Sequence, residues 1–339
     1  MKASGIISAL VFAHVAFAQG ESSTSATRTG TKSSSTSTSV SDSSAAATPI
    51  AISENQTSSN GNPLVPSSAS SACTTFLNSF NTDSSMSSCF GPLLTALAAF
   101  DPTTGSASSS ASATTIIKTL NTFCSSTSCS PVTVRNKLTE FKDACGDELT
   151  GASPNTVIIK NYDVLYTLIP FKDAICARDV STQAYCALNV ASSSSTAGNS
   201  TQNIVLSSEL TASRRKRAQT VLVPNTDAYR SNNLMYLFTS PDMNAGQLCT
   251  SCTQQIVSKY IAFESSTPYA LGLKNSPLLS GQSALWAAMQ EKCPASFLTE
   301  VSNIAGVASA ADINGASALG GGSLLTALAG ALAAGLTLV

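Results

Sequence analysis

Three groups of residues in this sequence have the types and spacing to do chemistry. Cys249 and Cys252 form a C-x-x-C in "CTSC". Arg214, Arg215, Lys216 and Arg217 form an unbroken basic run in "SRRKR". Acids cluster at Asp143, Asp147 and Glu148 and recur, scattered, at Glu264, Glu291 and Glu300. A thioredoxin-like role for the C-x-x-C would need a preceding strand and a βαβ context, and neither is readable here. A zinc site would need a second pair of ligands. The plainer reading is structural: two cysteines one helical turn apart, each bonded to a different partner. Paired carboxylates flanking a cleft could hydrolyse a glycoside. A sugar cleft normally also offers aromatic platforms, yet Trp286 is the single Trp of the chain. These acids therefore read as solvated helix faces.

The sole histidine is His14. Beyond it, Ser-His-Asp and Cys-His catalysis are excluded, as are His-ligated zinc and iron. No G-x-S-x-G, P-loop or dinucleotide fingerprint occurs, and "LGGGS" at 319–323 reads as spacer. No catalytic residue, metal or cofactor is expected. A binding pocket between helices for a lipid, sterol or glycan is the alternative, with Tyr162, Tyr166, Tyr260 and Phe263 able to line it. A carboxylate-dependent glycan hydrolase is the weaker one.

The elements that would carry these residues sit between two targeting signals. Lys2, the apolar run "GIISALVFAHVAF" and the small-x-small "AFA" at 16–18 make residues 1–18 a secretory signal peptide. At the other end, "SLLTALAGALAAGLTLV" (323–339) is apolar with no charge after it. A polar, Gly-rich spacer (306–322) precedes it and holds the small residues Asn314, Gly315 and Ala316. That is the pattern of glycosylphosphatidylinositol (GPI) attachment, with Asn314 as the attachment residue and the tail removed. The expected location is the cell surface, with the membrane as a partner through the lipid, and cell-wall glycan or surface proteins as further partners. A net charge of −1 gives no pull toward nucleic acid.

Ser22 to Thr48 holds 18 Ser or Thr in 27 residues. Such a tract cannot bury a core, so 19–70 is expected to be a disordered, glycosylated stalk. Asn55 ("NQT") and Asn199 ("NST") are N-glycosylation sequons. The ten cysteines are Cys73, Cys89, Cys124, Cys129, Cys145, Cys176, Cys186, Cys249, Cys252 and Cys293. An even count in a secreted region implies up to five disulfides, with connectivity unreadable.

Helical periodicity runs through the cysteine-bearing part. Cys73, Phe76, Leu77 and Phe80 share a stripe. So do Leu93, Leu94, Leu97 and Phe100, then Ile116, Ile117, Leu120 and Phe123. Val134, Leu138, Phe141 and Cys145 follow Pro131 at a helix start. Tyr162, Leu165, Tyr166 and Ile169 precede an expected break at Pro170. "FKDAC" and "FKDAIC" look alike, as if a helix end stapled by sulfur had been used twice. Later stripes fall at Leu234–Phe238, Cys249–Phe263, Leu285–Cys293 and Phe297–Ile304. The only good strand signal is "TVLVP" (220–224). The expected fold is an all-α, disulfide-stapled domain of about seven to nine helices. Its expected division is a subdomain at 71–187, a disordered loop at 188–220 and a second subdomain at 221–305.

"ACTTFLNSFNTDSSMSSC", "YDVLYTLIPFKDAIC", "LCTSCTQQIVSKYIAFESSTPYALGL" and "LLSGQSALWAAMQEKC" resemble a family of secreted, GPI-anchored, Ser/Thr-rich fungal surface proteins with a Cys-rich domain of unknown function. The resemblance spans about Ala72 to Ala305. It implies a non-catalytic surface role and brings no site residues with it. No adjacent Cys-Cys pairs occur, unlike in hydrophobins, and the compact eight-Cys spacing of fungal haem-binding surface domains is missing.

In a secreted chain the basic run is no nuclear address. What remains is an inert charged loop or, at Lys216-Arg217, a dibasic processing site in a loop that a protease can enter. Seven cysteines precede it and three follow. Complete pairing would therefore require an odd number of disulfides to cross it.

Overall fold

The computed structural model describes residues 50–51, 53–58, 62–80, 83–97, 113–188, 204–205 and 219–310. Eleven α-helices have both ends among them. The first five are α1 (Ser71–Phe80), α2 (Ser84–Leu97), α3 (Ala113–Ser125), α4 (Pro131–Ala144) and α5 (Gly146–Thr150). The next three are α6 (Thr156–Ile175), α7 (Thr226–Ser231) and α8 (Ala245–Leu248). The last three are α9 (Ser251–Ser266), α10 (Gln282–Lys292) and α11 (Ala295–Ala305). The protein is all-α and disulfide-stapled.

Sequence chemistry sets the helix starts. Ser130 caps α4, its side chain accepting from the Thr133 N–H, and Pro131 takes the first turn, where its missing N–H costs nothing. Asn155 caps α6, accepting from Val157 and Ile158. Asn244 and Gln247 form a capping box on α8. The expected stripes are inward on α1, α3 and α4, where Cys73, Leu77, Ile116, Leu120, Val134, Leu138 and Phe141 are buried. Ile117 is an exception at 43% exposed. It sits one position round the helix from Ile116, off the face that meets the core.

The central element is α6. Fourteen of its 20 residues are buried, on every side, because α3, α4, α5 and α9 all pack against it. Pro170 does not break it as expected; the helix runs on to Ile175. One lost backbone hydrogen bond is outweighed where the flanking Ile169 and Phe171 are themselves buried.

Two short sheets tie outlying segments to this core. β1 (Ile50–Ala51) pairs in parallel with β3 (Ile204–Val205), and β2 (Ser53–Ser58) pairs antiparallel with β4 (Gln219–Pro224), Ser53 opposite Pro224 and Ser58 opposite Gln219. β4 contains the expected "TVLVP". The expected boundaries shift accordingly. Residues 53–58 and 62–70 belong to the ordered fold and not to a stalk ending at 70, and the loop ends before Gln219. Nor do 71–187 and 221–305 form separate subdomains, since one continuous buried cluster runs from Leu64 to Ala310.

Candidate functional site

Where α6 meets α9 and α10, the core is polar. Asp163 projects from the buried middle of α6 and is 0% exposed. It accepts three hydrogen bonds from the irregular connection between α9 and α10. Ser276 Oγ donates to its Oδ2 at 2.6 Å, the Leu278 N–H donates to the same oxygen at 3.0 Å, and the Tyr269 hydroxyl donates to Oδ1. Burial pushes its pKa up to about 6, against the pull of Ser276, Tyr269 and the Leu278 N–H. Tyr166, one turn along α6, donates to the Thr267 carbonyl at 2.6 Å, and Arg135 of α4 donates to Thr267 Oγ1 at 3.2 Å. Tyr269 packs edge-on against both Tyr162 and Tyr166, with centroids 5.7 and 4.9 Å apart.

Glu264, near the end of α9, is the second buried acid. Its Oε2 accepts from Gln282 Nε2 at 2.6 Å, while Oε1 has no hydrogen-bond partner among the described residues. Burial pushes its pKa up to about 8, opposed only by the Gln282 bond. Gln282 in turn accepts from the Tyr236 hydroxyl at 2.7 Å. Tyr236 lies in a 3-10 turn, Leu234–Tyr236, flanked by left-handed backbone at Asn233, Leu237 and Phe238. Tyr260 donates to the Met235 carbonyl of that turn. Gly281 lies where a Cβ would sit 2.4 Å from Asn233 Oδ1, so a larger residue at the start of α10 would have to push the Asn233 side chain aside. The centre can hold protons and fix three elements together.

The other acids are dispersed. Asp143, Asp147, Glu291 and Glu300 are exposed, as expected of solvated faces. Glu148 and Glu264 are not; both are buried, which corrects that reading for these two. Burial is the largest single influence on Glu148 and works against its charge, but the N–H and hydroxyl of Ser70 and Glu148's own N–H together outweigh it and hold the pKa below the usual carboxylate value. The sequence did carry a signal for Asp163: a lone acid in the otherwise apolar "YDVLYTLIPF". Its partners Tyr269 and Ser276, over 100 residues away, had none.

Four disulfides are seen: Cys73–Cys145, Cys124–Cys176, Cys186–Cys252 and Cys249–Cys293. Cys129 is also disulfide-bonded, and Cys89 lies in α2, its side chain outside the described set. The C-x-x-C cysteines have different partners. They do not share a helix, however: Cys249 is the C-cap of α8 and Cys252 lies in the first turn of α9. Cys145, Cys176 and Cys293 are also C-caps, of α4, α6 and α10, so "FKDAC" and "FKDAIC" mark the same device. Cys73, Cys145 and Glu148 bring possible metal-donor atoms within 4.8 Å of one another, but the two sulfurs are bonded to each other and offer no thiolate. Asn55 is a mid-strand residue of β2, in register with Leu222. The signal peptide, Asn199, Lys216, Arg217, Asn314 and the apolar tail lie outside the described residues. Among the described residues no helix is long and apolar enough to cross a membrane.

A helical head stapled at its helix ends, with a buried polar centre, defines the class of this protein as a disulfide-rich all-α domain. The chain belongs to the family described as "Domain of unknown function (DUF7729)", whose model matches residues 60–233, just over half of the 339-residue chain. No curated protein and no solved structure matches it. The matched segment contains Asp163; the groups that donate to it all lie beyond residue 233.

Proposed function

We propose that this chain is a secreted, glycosylated fungal surface protein, held at the plasma membrane by a GPI lipid on Asn314. Its stapled head serves as a structural or interaction module. The observation that carries this reading is the cysteine usage. Every cysteine whose side chain is among the described residues is disulfide-bonded, which belongs to an oxidising compartment. The apolar segments at 6–18 and 323–339 and the sequons Asn55 and Asn199 support the same route. A non-catalytic role is supported by the use of the acids: Asp163 and Glu148 bind the protein's own backbone and hydroxyl groups, and Asp83 pairs with Lys137 at 2.7 Å.

Lys216-Arg217 fits as a processing site within this reading. Among the described pairs, Cys186–Cys252 is the single disulfide that spans it. A cut after Arg217 would nick the head without releasing either part.

One experiment tests these points together. Cells are treated with phosphatidylinositol-specific phospholipase, and the released protein is analysed by intact mass and on gels with and without reductant. The expected result is release of a glycosylated chain ending at Asn314, giving one band without reductant and two with it. Retention on the membrane with the 323–339 tail intact refutes the anchor. A single band under reduction refutes the cut.

A further inference from the structure

We infer that the head carries a proton switch without histidine: Glu264 is an uncharged carboxylic acid in the native core, and its ionisation loosens the packing of α9 against Gln282 and the Leu234–Phe238 segment. Geometry supplies the argument. The side chain is buried, one oxygen takes a single hydrogen bond from a neutral amide, and the other has no partner. A carboxylate in such a place would need a cation or several donors to replace lost hydration.

No cation is there. The groups facing Glu264 are Tyr166 of α6, Tyr236 of the 3-10 turn and Tyr260 of its own helix, with Asp163 and Tyr229 behind them. Lys172 of α6 is occupied by the Ser126 carbonyl and Ser128, and Lys292 of α10 by the carbonyls of Pro241 and Met243. Lys259 lies five positions before Glu264, on a different face of α9. The only titratable residue of α11 is the exposed Glu300.

Asp163 is a contrast. It has three donors, so its environment supports charge to a degree that Glu264's does not. The two acids bracket the same connection: Asp163 holds Tyr269, Ser276 and Leu278, and Glu264 holds Gln282 just after it.

The direction follows from linkage. Both pKa values are raised in the folded state, to about 6 for Asp163 and about 8 for Glu264. Folding then keeps protons that the unfolded chain releases. The stability this confers is complete below the unfolded carboxylate values and is lost as pH rises through the folded ones. Asp83, Asp179 and Glu148 are shifted the opposite way and act only on the acid side of that window. Asp173 of α6 is also pushed up by burial, with Lys259 and Lys172 pulling it back, so above about pH 6.5, and below the range where tyrosines ionise, Glu264 is the carboxyl raised furthest.

The test is reversible urea unfolding of the full secreted chain, disulfides intact, from about pH 5 to 9. The folding equilibrium constant should fall about tenfold per pH unit between about pH 6.5 and 8. Glu264→Gln should abolish that slope. A flat wild-type profile, or an unchanged slope in the variant, overturns the inference. Carboxyl-carbon NMR titration of the wild type is independent of whether the variant folds. One glutamate should stay protonated to about pH 8, whereas titration of every glutamate below about pH 5.5 overturns the inference.

Discussion

The segment from Cys73 to Cys176 and the segment from Cys186 to Cys293 use the same covalent device on different parts of one core. In each, two disulfides interleave, so that each loop contains one cysteine of the other: Cys73–Cys145 with Cys124–Cys176, and Cys186–Cys252 with Cys249–Cys293. None of these four bonds joins the segments to each other. The first part is apolar and aromatic, with Phe76, Phe141 and Tyr162 in sequence at ring separations of 5.2 and 5.4 Å. The second contains Glu264, Gln282, Tyr236 and Tyr260. Between them runs the α6–α9 contact, where Asp163 and Tyr166 meet the connection after α9. Sulfur thus fixes each segment internally, while hydrogen bonds and aromatic packing weld the two together.

The largest effect should come from the sulfur. Replacing Cys73 and Cys145 together by Ser opens a loop of 72 residues, with an expected loss of about 4 kcal/mol in urea unfolding. A loss below about 1 kcal/mol would mean that packing alone holds the first segment.

Asp163→Ala comes next. It strands two hydroxyls and one N–H in the interior, for a loss of about 3 kcal/mol. Hydrogen exchange sharpens the comparison. Amides of 267–281 should lose protection while those of α4 keep theirs; equal loss in both would show that the weld and the first part are a single unit.

The smallest effect should come from the periphery. Lys160 of α6 binds Glu54 of β2 at 2.6 Å, and Glu54 is largely exposed. Lys160→Ala should cost less than about 1 kcal/mol. A larger cost would promote the β2–β4 sheet from accessory to structural member.

These ranks reflect what the sequence could show. The stripe from Val134 to Cys145, spaced by four, three and four, was legible because α4 buries one face and leaves the other wet. So was the mutual resemblance of two cysteine-ended helices. Pro170 misled because its cost is local, whereas the burial around it is contributed by four other helices. Glu264 misled in another way. Next to Ser265 and Ser266 it reads as a wet surface position, and only the arrival of Gln282 and Tyr236 from distant parts of the chain closes over it. Asp163 is an acid in an apolar helix, a signal that the reading of the acids by clustering passes over, and nothing local names its donors. Spacing along one helix is a local property, and a buried polar centre is a meeting of segments.

The interleaved disulfides also impose a timetable. Synthesis delivers Cys73, Cys124, Cys145 and Cys176 before any of Cys186, Cys249, Cys252 and Cys293 exists in the growing chain. Domains and their parts tend to fold in that order, N-terminal first. Taken by themselves, the eight cysteines of the four described bonds could pair in roughly a hundred ways if released together, whereas two successive groups of four leave about nine. Keeping every described bond on one side of residues 177–185 lets the emerging chain finish sorting its first set of thiols before the second set arrives.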